Sequence, residues 1–298
     1  YYYLREAFER VRFDNIAGAV QKFTEEILVR WVKAAIKKTN IKDIVCGGGV
    51  FMNVKANKII SEIDGLEELF IFPSCGDESL SLGASWIEYS ELLKQKEELK
   101  QKELLKPIDS LKNLYLGGLC YEGNIEKIIS KHINEEDDIS INKSENISRD
   151  TAEIIMNNHI IARCSGKMEW GARALGNRSI LANPKNKDIK DILNLKIKLR
   201  EKFRPFAPAV LYDKKEIYFD INYHSPFMLN VVAAKPSAIK DIPAVVHVDN
   251  SCRVQTVKED ENEEFFKLIS KFYELSGVPV LLNTSFNENE PIVLNPEQ

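Results

Sequence analysis

The sequence predicts an α/β region followed by an α+β region. In the first part, apolar strand-like runs alternate with helical patterns, which is typical of a mainly parallel sheet covered by helices. In the second part, short strand-like runs and helical stretches follow one another without regular alternation. A charged stretch that ends at Pro107 separates the two patterns. We therefore assign residues 1–105 to one domain and residues 106–298 to a second.

The first long helix is predicted from the spacing of its apolar residues. Asp14 can cap its N-terminus. The apolar residues recur at intervals of three and four: Ile16, Val20, Phe23, Ile27, Trp31 and Ala34. This periodicity predicts an amphipathic helix of about six turns.

A strand–turn–helix unit follows the first helix. Residues 41–46 are apolar, as in a short strand, and Gly47-Gly48-Gly49 leads from them into a helical pattern. A second apolar run at 69–72 ends at Pro73 and leads through a polar loop into a helix predicted over 80–93. The order of these elements predicts parallel strands.

A connecting helix is predicted over residues 91–106, which Pro107 stops, and the second pattern follows it. Helices are predicted at 148–158, 189–200 and 263–275. Strands are predicted at 114–116, 160–163, 209–212, 228–233, 245–248 and 278–282.

Composition excludes several classes of protein. With 44% hydrophobic and 29% charged residues, the chain is an ordinary globular one. No apolar run approaches the ~18 residues of a membrane helix, and the start lacks a signal-peptide layout, so we expect a soluble cytoplasmic protein without a membrane partner. The five cysteines never form a CxxC pair and are expected to be free thiols. The net charge of −4 predicts no general attraction to nucleic acid.

Positive charge is nevertheless concentrated in one segment. Residues 163–204 contain twelve Lys or Arg and only four Asp or Glu. Within it, residues 166–179 combine three glycines with three cations, a composition suited to cradling an oxyanion. Arg173 and Arg178 carry planar guanidinium groups that match phosphate or carboxylate oxygens. An anionic ligand and a merely basic surface both remain open at this point.

Four further segments contain residues that could bind a ligand or take part in catalysis. The glycine turn at 47–49 exposes backbone N–H groups to a polyphosphate, or serves only as a turn. Asp77 follows an apolar strand and could hold a cation, or cap the next helix. His247, Asp249 and Arg253 are predicted to share one face of a strand. The polar run 283–287 could contact a nucleotide or form turns.

Six blocks of the sequence are specific as a set. They are Gly48-Gly49-Val50 with Asn53 and Asn57, PSCGDESLSLG at 73–83, GKMEWGARALGNRSILANP at 166–184, KLREKFRPFAP at 198–208, HVDNSCRVQTV at 247–257 and GVPVLLNTSFN at 277–287. In this order they resemble the motif series of the NodU/CmcH carbamoyltransferase family. The resemblance implies part of an actin-like (ASKHA) α/β domain over 1–105 and a YrdC-like α+β domain over 106–298.

The resemblance also implies an activity. The family carbamoylates a hydroxyl group of a small molecule, using carbamoyl phosphate and ATP, through a carbamoyl adenylate intermediate. A divalent metal is implied as well, with iron expected at the protein site and Mg with ATP. The expected partners are therefore carbamoyl phosphate, ATP and a hydroxyl-bearing acceptor that the sequence does not name.

Site residues follow from the resemblance by position. The catalytic group comprises Lys167, Arg173, Arg178, Arg204 and Arg253. The cofactor-binding group comprises Gly48, Gly49, Asn53, Asn177, Ser179, Lys198, His247, Asn283 and Ser285. Asp77 matches the metal-binding aspartate.

The sequence departs from the family pattern in three ways. The family's metal site also uses a His-x-x-x-His pair, which none of the four histidines forms here. Together with the start at Tyr1, this leads us to expect the C-terminal portion of a longer protein, whose exposed docking face would favour a homodimer. Ala172 stands where the family usually has Pro, and Asn250 where Gly is common.

Two alternative functions remain open at this point. The same domains could serve threonylcarbamoyl-AMP chemistry in tRNA modification, although the net charge of −4 disfavours contact with tRNA. The chain could also be a nucleotide-binding remnant without catalysis.

Overall fold

The computed structural model describes residues 2–98, 111–120, 125–132, 139–288 and 291–298. It divides into two compact units, Tyr1–Asp77 and Glu78–Gln298. The predicted domain boundary between residues 105 and 106 lies outside the described residues, as does the end of the predicted connecting helix. No helix in the described ranges combines the length and apolar character that crossing a bilayer requires.

The first unit contains the predicted strand–turn–helix–strand order. Its elements are α1 (Tyr2–Phe8), α2 (Phe13–Thr39), β1 (Asp43–Cys46), a 3-10 turn (Gly49–Met52), α3 (Val54–Ser61) and β2 (Glu68–Ile71). Strands β1 and β2 pair in parallel, with Val45 opposite Phe70. The predicted parallel strands are therefore confirmed.

Helix α2 differs from its prediction at the N-terminus. Arg12, not Asp14, is the N-cap residue, and it makes no side-chain capping bond. Asp14 lies in the first turn, where its carboxylate accepts from the Arg12 guanidinium at 2.8 Å. The predicted capping role of Asp14 is wrong, because the helix begins one residue before it. At the other end, Asn40 adopts φ 58 and closes the helix.

The second unit is built around a five-stranded mixed sheet. Its strands are β3 (Ile161–Cys164), β4 (Arg178–Ala182), β5 (Ala207–Leu211), β6 (Val231–Ala233), β7 (Ser251–Arg253), β8 (Gln255–Val257) and β9 (Val280–Ser285). The sheet order is β3-β4-β9-β5-β8, antiparallel except for the parallel pair β5–β8. A separate antiparallel pair joins β6 to β7. The predicted mixture of strands and helices is confirmed.

The helices of this unit are α4 (Ser79–Glu98), α5 (Ile125–His132), α6 (Ile147–Met156), α7 (Ile189–Ile192), α8 (Pro236–Asp241) and α9 (Glu263–Ser276). Helix α9 shows why the sequence folds in this way. The Asn262 side chain accepts from the Phe265 N–H at its start, and Gly277, with φ 72, ends it. Its buried residues Phe265, Leu268, Ile269 and Phe272 recur at helical spacing and belong to the main core.

Three strand predictions in this unit are corrected. Residues 245–248 contain the end of a 3-10 turn and a hydrogen-bonded turn in place of a strand. The run 114–116 is not a strand, and the run 228–233 is a strand only from Val231. Strand β4 was missed, because its sequence begins inside the glycine- and cation-rich block. The predicted helix 189–200 ends earlier, at the π-helical turn Leu193–Ile197.

Gly176 connects the glycine-rich loop to β4 in a conformation that suits only glycine. Its φ is 121, outside the range that L side chains adopt readily. A Cβ atom built there would lie 2.4 Å from Cδ1 of Phe265, which is fully buried on α9. The close approach of loop and helix therefore depends on the missing side chain.

We expect Gly176→Ala to lower the free energy of unfolding by about 2–4 kcal/mol, because strain and overpacking add. Urea unfolding followed by circular dichroism measures the change. Gly83→Ala on α4 is the matched control, since a Cβ there meets nothing within 4 Å and alanine favours the helix. Equal stabilities for Gly176→Ala and the unmodified protein would contradict the reasoning.

Candidate functional site

A cavity in the second unit collects three of the chain's arginines. It has a volume of about 130 Å³ and is lined by Arg173, Arg200 and Arg253 together with polar and apolar neighbours. Arg253 comes from β7, and Asn283 and Ser285 come from β9. The cavity residues are therefore separated widely in sequence and brought together by strands.

The charges in this cavity are not balanced by acids. No Asp or Glu is among the residues that line it. Burial, reinforced by Arg173 and Arg200, lowers the pKa of Arg253 to about 9. Within the part of the chain that the structure describes, no group accepts a hydrogen bond from the Arg253 guanidinium. The cavity thus holds positive charge whose natural complement is an external anion.

An open groove of about 920 Å³ adjoins the cavity and shares Arg200 and Ser285 with it. Lys198, Arg204 and Asn287 also line this groove. Arg204 is exposed, and its Nε lies 2.8 Å from a Glu201 carboxylate oxygen. Glu201 and Glu288 are the two acids among the residues that line the groove. The groove and the cavity are continuous through the two shared residues, and we call them together the cationic site.

Lys198 fixes the loop that follows β9. Its Nζ donates to the backbone oxygens of Ser285 (2.5 Å) and Asn287 (2.6 Å) and to Oδ1 of Asn287 (2.8 Å). Burial, with Arg200 as the second cause, lowers the pKa of Lys198 to about 8. Lys198 therefore supplies a positive charge to the groove and holds its wall in place.

The glycine-rich loop already has its anion. The predicted oxyanion cradle exists, but the buried carboxylate of Glu169 occupies it: Oε1 accepts from the N–H groups of Leu175 (2.7 Å), Asn177 (2.7 Å) and Arg178 (3.3 Å). Because these donors are taken, the loop contributes to the cationic site through Arg173 rather than through its backbone.

Several predicted residues of this block support the loop and lie apart from the cavity. The Arg178 guanidinium donates to the carbonyls of Ser165, Gly166, Asn177 and Leu294. Asn177 donates to the carbonyl of Lys167, whose side chain is exposed, and Ser179 Oγ accepts from the Gly176 N–H. The structure thus brings Arg173 and Arg253 together but does not bring Arg178 or Lys167 to them.

His247 lies in a turn beside β7 and not on a strand with Arg253. The Asn250 N–H donates to its carbonyl, and the His247 N–H donates to Ser251. Burial lowers the pKa of His247, Asp249 opposes the shift, and the charge of Arg253 adds to it. Asn250 has φ 57, a conformation that asparagine tolerates, so the replacement of the family's usual glycine is accommodated.

The predicted residues of the first unit are placed as follows. Gly48 has φ 106 and precedes the 3-10 turn that begins at Gly49. Asn53 caps α3 by accepting from the Ala56 N–H, and it pairs with Gln21. Asp77 is exposed at the end of the unit. Among the described residues, no three His, Cys, Asp or Glu side chains come together as metal ligands, so Asp77 is not part of such a group there.

Two residues of the cationic site are absent from the site residues predicted from the sequence. Arg200 was noted only as part of a basic run, and Asn287 only as part of a polar loop. The alternation of Asn283, Ser285 and Asn287 along and beyond a strand was the available signal, because residues two apart share a face. Both Arg200 and Asn287 line the groove.

Two family models match the chain. The carbamoyltransferase N-terminus model covers residues 3–86, and the carbamoyltransferase C-terminus model covers residues 152–298. All the residues that line the cationic site lie within the second match.

Related proteins match along nearly the whole chain. The uncharacterized protein MJ1051 of Methanocaldococcus jannaschii is 38% identical over 96% of this chain and 52% of its own length. Nodulation protein NolNO of Sinorhizobium fredii is 33% identical over 94% of this chain and 40% of its own length. The chain spans about half the length of the curated relatives it matches. With its two family matches and these relatives, the chain belongs to the carbamoyltransferase family.

Proposed function

We propose that the second unit binds carbamoyl phosphate and ATP and converts them, with water, into carbamoyl adenylate, phosphate and pyrophosphate, as the donor half of an O-carbamoyltransferase. The observation that carries the proposal is the Arg253 guanidinium, which lies beside Arg173 and Arg200 without an acceptor in the described chain. Such a cluster is unfavourable by itself, so its use is to hold a ligand of high negative charge.

The sizes of the two spaces suggest which substrate each takes. A volume of about 130 Å³ accommodates a group the size of a phosphate, since a water molecule occupies about 30 Å³ of liquid. The open groove of about 920 Å³ has room for a nucleotide triphosphate. Arg200 and Ser285 lie where the two spaces meet, at the position where the substrates would react.

The proposed chemistry has two bond exchanges before transfer. Water first attacks carbamoyl phosphate, the bond between its phosphorus and the bridging oxygen breaks, and carbamate and inorganic phosphate form. A carbamate oxygen then bonds to the α-phosphorus of ATP, while the bond from that phosphorus to the α,β-bridging oxygen breaks and pyrophosphate leaves. Lys198, Arg200 and Arg204 would offset the charge that develops on the leaving group. The hydroxyl of the acceptor would then take the carbamoyl group, release AMP and lose its proton.

No step is assigned to a metal ion of the protein. The resemblance implies such an ion at Asp77, but the described residues supply no second and third ligand.

We expect Arg253→Met to weaken carbamoyl phosphate binding about 10- to 100-fold, the loss of one or two charge-assisted hydrogen bonds. The same change should raise the free energy of unfolding, because methionine removes a charge that the fold desolvates. Isothermal titration calorimetry and urea unfolding measure the two effects.

Arg149→Met is the matched control for this variant. Arg149 is an exposed arginine on α6 that pairs with Glu153, away from the cavity. The Arg149→Met variant should bind carbamoyl phosphate with the affinity of the unmodified chain. A folded, unmodified chain that gives no heat with carbamoyl phosphate would overturn the proposed function.

We expect the affinity for ATP, which the groove would hold, to fall as pH rises through about 8, the pKa of Lys198 in the folded protein. An anion favours the charged ammonium, so binding is strongest below this pH. Above it, the affinity should weaken by up to about tenfold per pH unit. Calorimetric titrations across this range measure the profile.

Lys198→Arg should remove the decline centred near pH 8, because the pKa of a guanidinium starts well above that of an ammonium group. Lys196→Arg, at an exposed position two residues away, should keep the profile of the unmodified protein. If Lys198→Arg retained the decline, another group would be responsible for it.

A further inference from the structure

The loop that carries Arg200 and Arg204 begins with an irregular helix end. Helix α7 passes into the π-helical turn Leu193–Ile197, and the Lys198 N–H closes it by donating to Leu193 at 2.8 Å. Leu199 then adopts φ 46, in the left-handed region that bulky residues avoid. Turns of this kind inside helices frequently occur at functional sites, and strained residues persist only where their surroundings hold them.

One buried side chain holds this loop together. Asn194 is fully buried, and its Oδ1 accepts from Nε of Arg200 at 2.7 Å. Its Nδ2 donates to the carbonyls of Arg204 (3.0 Å) and Lys202 (3.4 Å). Its backbone oxygen accepts from the Arg200 N–H at 2.9 Å. A single residue thus bonds the Arg200 guanidinium, the Arg200 backbone and the loop beyond it.

This arrangement fixes the direction of the Arg200 side chain. Two contacts hold the Arg200 guanidinium. Its Nε donates to Asn194, and its central carbon lies 4.9 Å from the ring centroid of buried Phe206. Its terminal nitrogens have no acceptor among the described residues, and Arg200 lines both the cavity and the groove. The terminal nitrogens of Arg200 therefore remain available as donors at the place where the two spaces meet.

We propose that Asn194 is a positioning residue of the cationic site: it aims the terminal nitrogens of Arg200 at the junction of cavity and groove and so orients the phosphate bound there. The inference rests on the proposed function for the identity of that phosphate, and on the contacts of Asn194 for its mechanism. Asn194 itself is buried and is not among the residues that line the cavity or the groove.

A double-mutant cycle with inorganic pyrophosphate as the probe tests this role. Arg200→Met is expected to weaken pyrophosphate binding about 10- to 100-fold, and Asn194→Ala about tenfold. Because Asn194 acts through Arg200, the double variant should bind no more weakly than Arg200→Met alone. Additive losses would overturn the proposal, since they would mean that Asn194 acts independently of Arg200.

Asn183→Ala is the matched control for the loss of a buried asparagine. Asn183 is 5% exposed, both atoms of its amide are hydrogen-bonded, and it does not line the cationic site. The Asn183→Ala variant should bind pyrophosphate with the affinity of the unmodified chain. If it lost affinity to the same extent as Asn194→Ala, a general structural effect would replace the positioning role.

A ligand-free measurement separates this inference from the proposed function. Nuclear magnetic resonance should show the Arg200 Nε–H protected from exchange in the unmodified chain and unprotected in Asn194→Ala. Asn194→Asp, which keeps the acceptor oxygen, should retain the protection even where Asn194→Ala does not fold. An unprotected Nε–H in the unmodified chain overturns the inference, whereas protection without any carbamoyl phosphate binding overturns only the proposed function.

Discussion

The cationic site depends on holding like charges close together in a partly buried space. Arg253 lies beside Arg173 and Arg200, and no carboxylate lines the cavity that they share. Such an arrangement opposes folding, so the surrounding structure must prevent the guanidinium groups from moving apart. Arg253 is held through the backbone pairing of β7 with β6, and Arg200 through Asn194. The stability of the sheet and its core therefore maintains a charge distribution that only an anion balances.

The glycine-rich loop is organised around an anion that belongs to the chain itself. Glu169 occupies the N–H groups of the loop, and Arg178 occupies its carbonyls. These hydrogen bonds within the chain hold the conformation of the loop. Arg173, which lies between the residues so bound, is left to face the cavity. Within one motif, Glu169 and Arg178 therefore hold the loop together, whereas Arg173 lines the cavity.

Much of the fold was predictable because it depends on local patterns. The apolar spacing and the cap and glycine at its ends predicted α9, and the alternation of strands and glycine turn predicted the first unit. Strand β4 was not predictable in this way, because Arg178 and Ser179 are polar residues that are nevertheless buried. Their burial depends on the pairing of β4 with β3 and β9. Strand β9 lies more than 100 residues after β4 in the sequence, since Ser179 pairs with Ser285. Periodicity carries no information about such partners.

The sequence by itself determined the family, the concentration of positive charge in residues 163–204 and the residue types that an anion requires. It did not separate the arginines that bind the loop from those that face the cavity, since Arg173 and Arg178 are only five positions apart in one motif. The tertiary structure decided this by placing Arg178 among backbone carbonyls and Arg173 beside Arg253. The physical reason is that the use of a guanidinium depends on which acceptors surround it, and those acceptors come from distant parts of the chain.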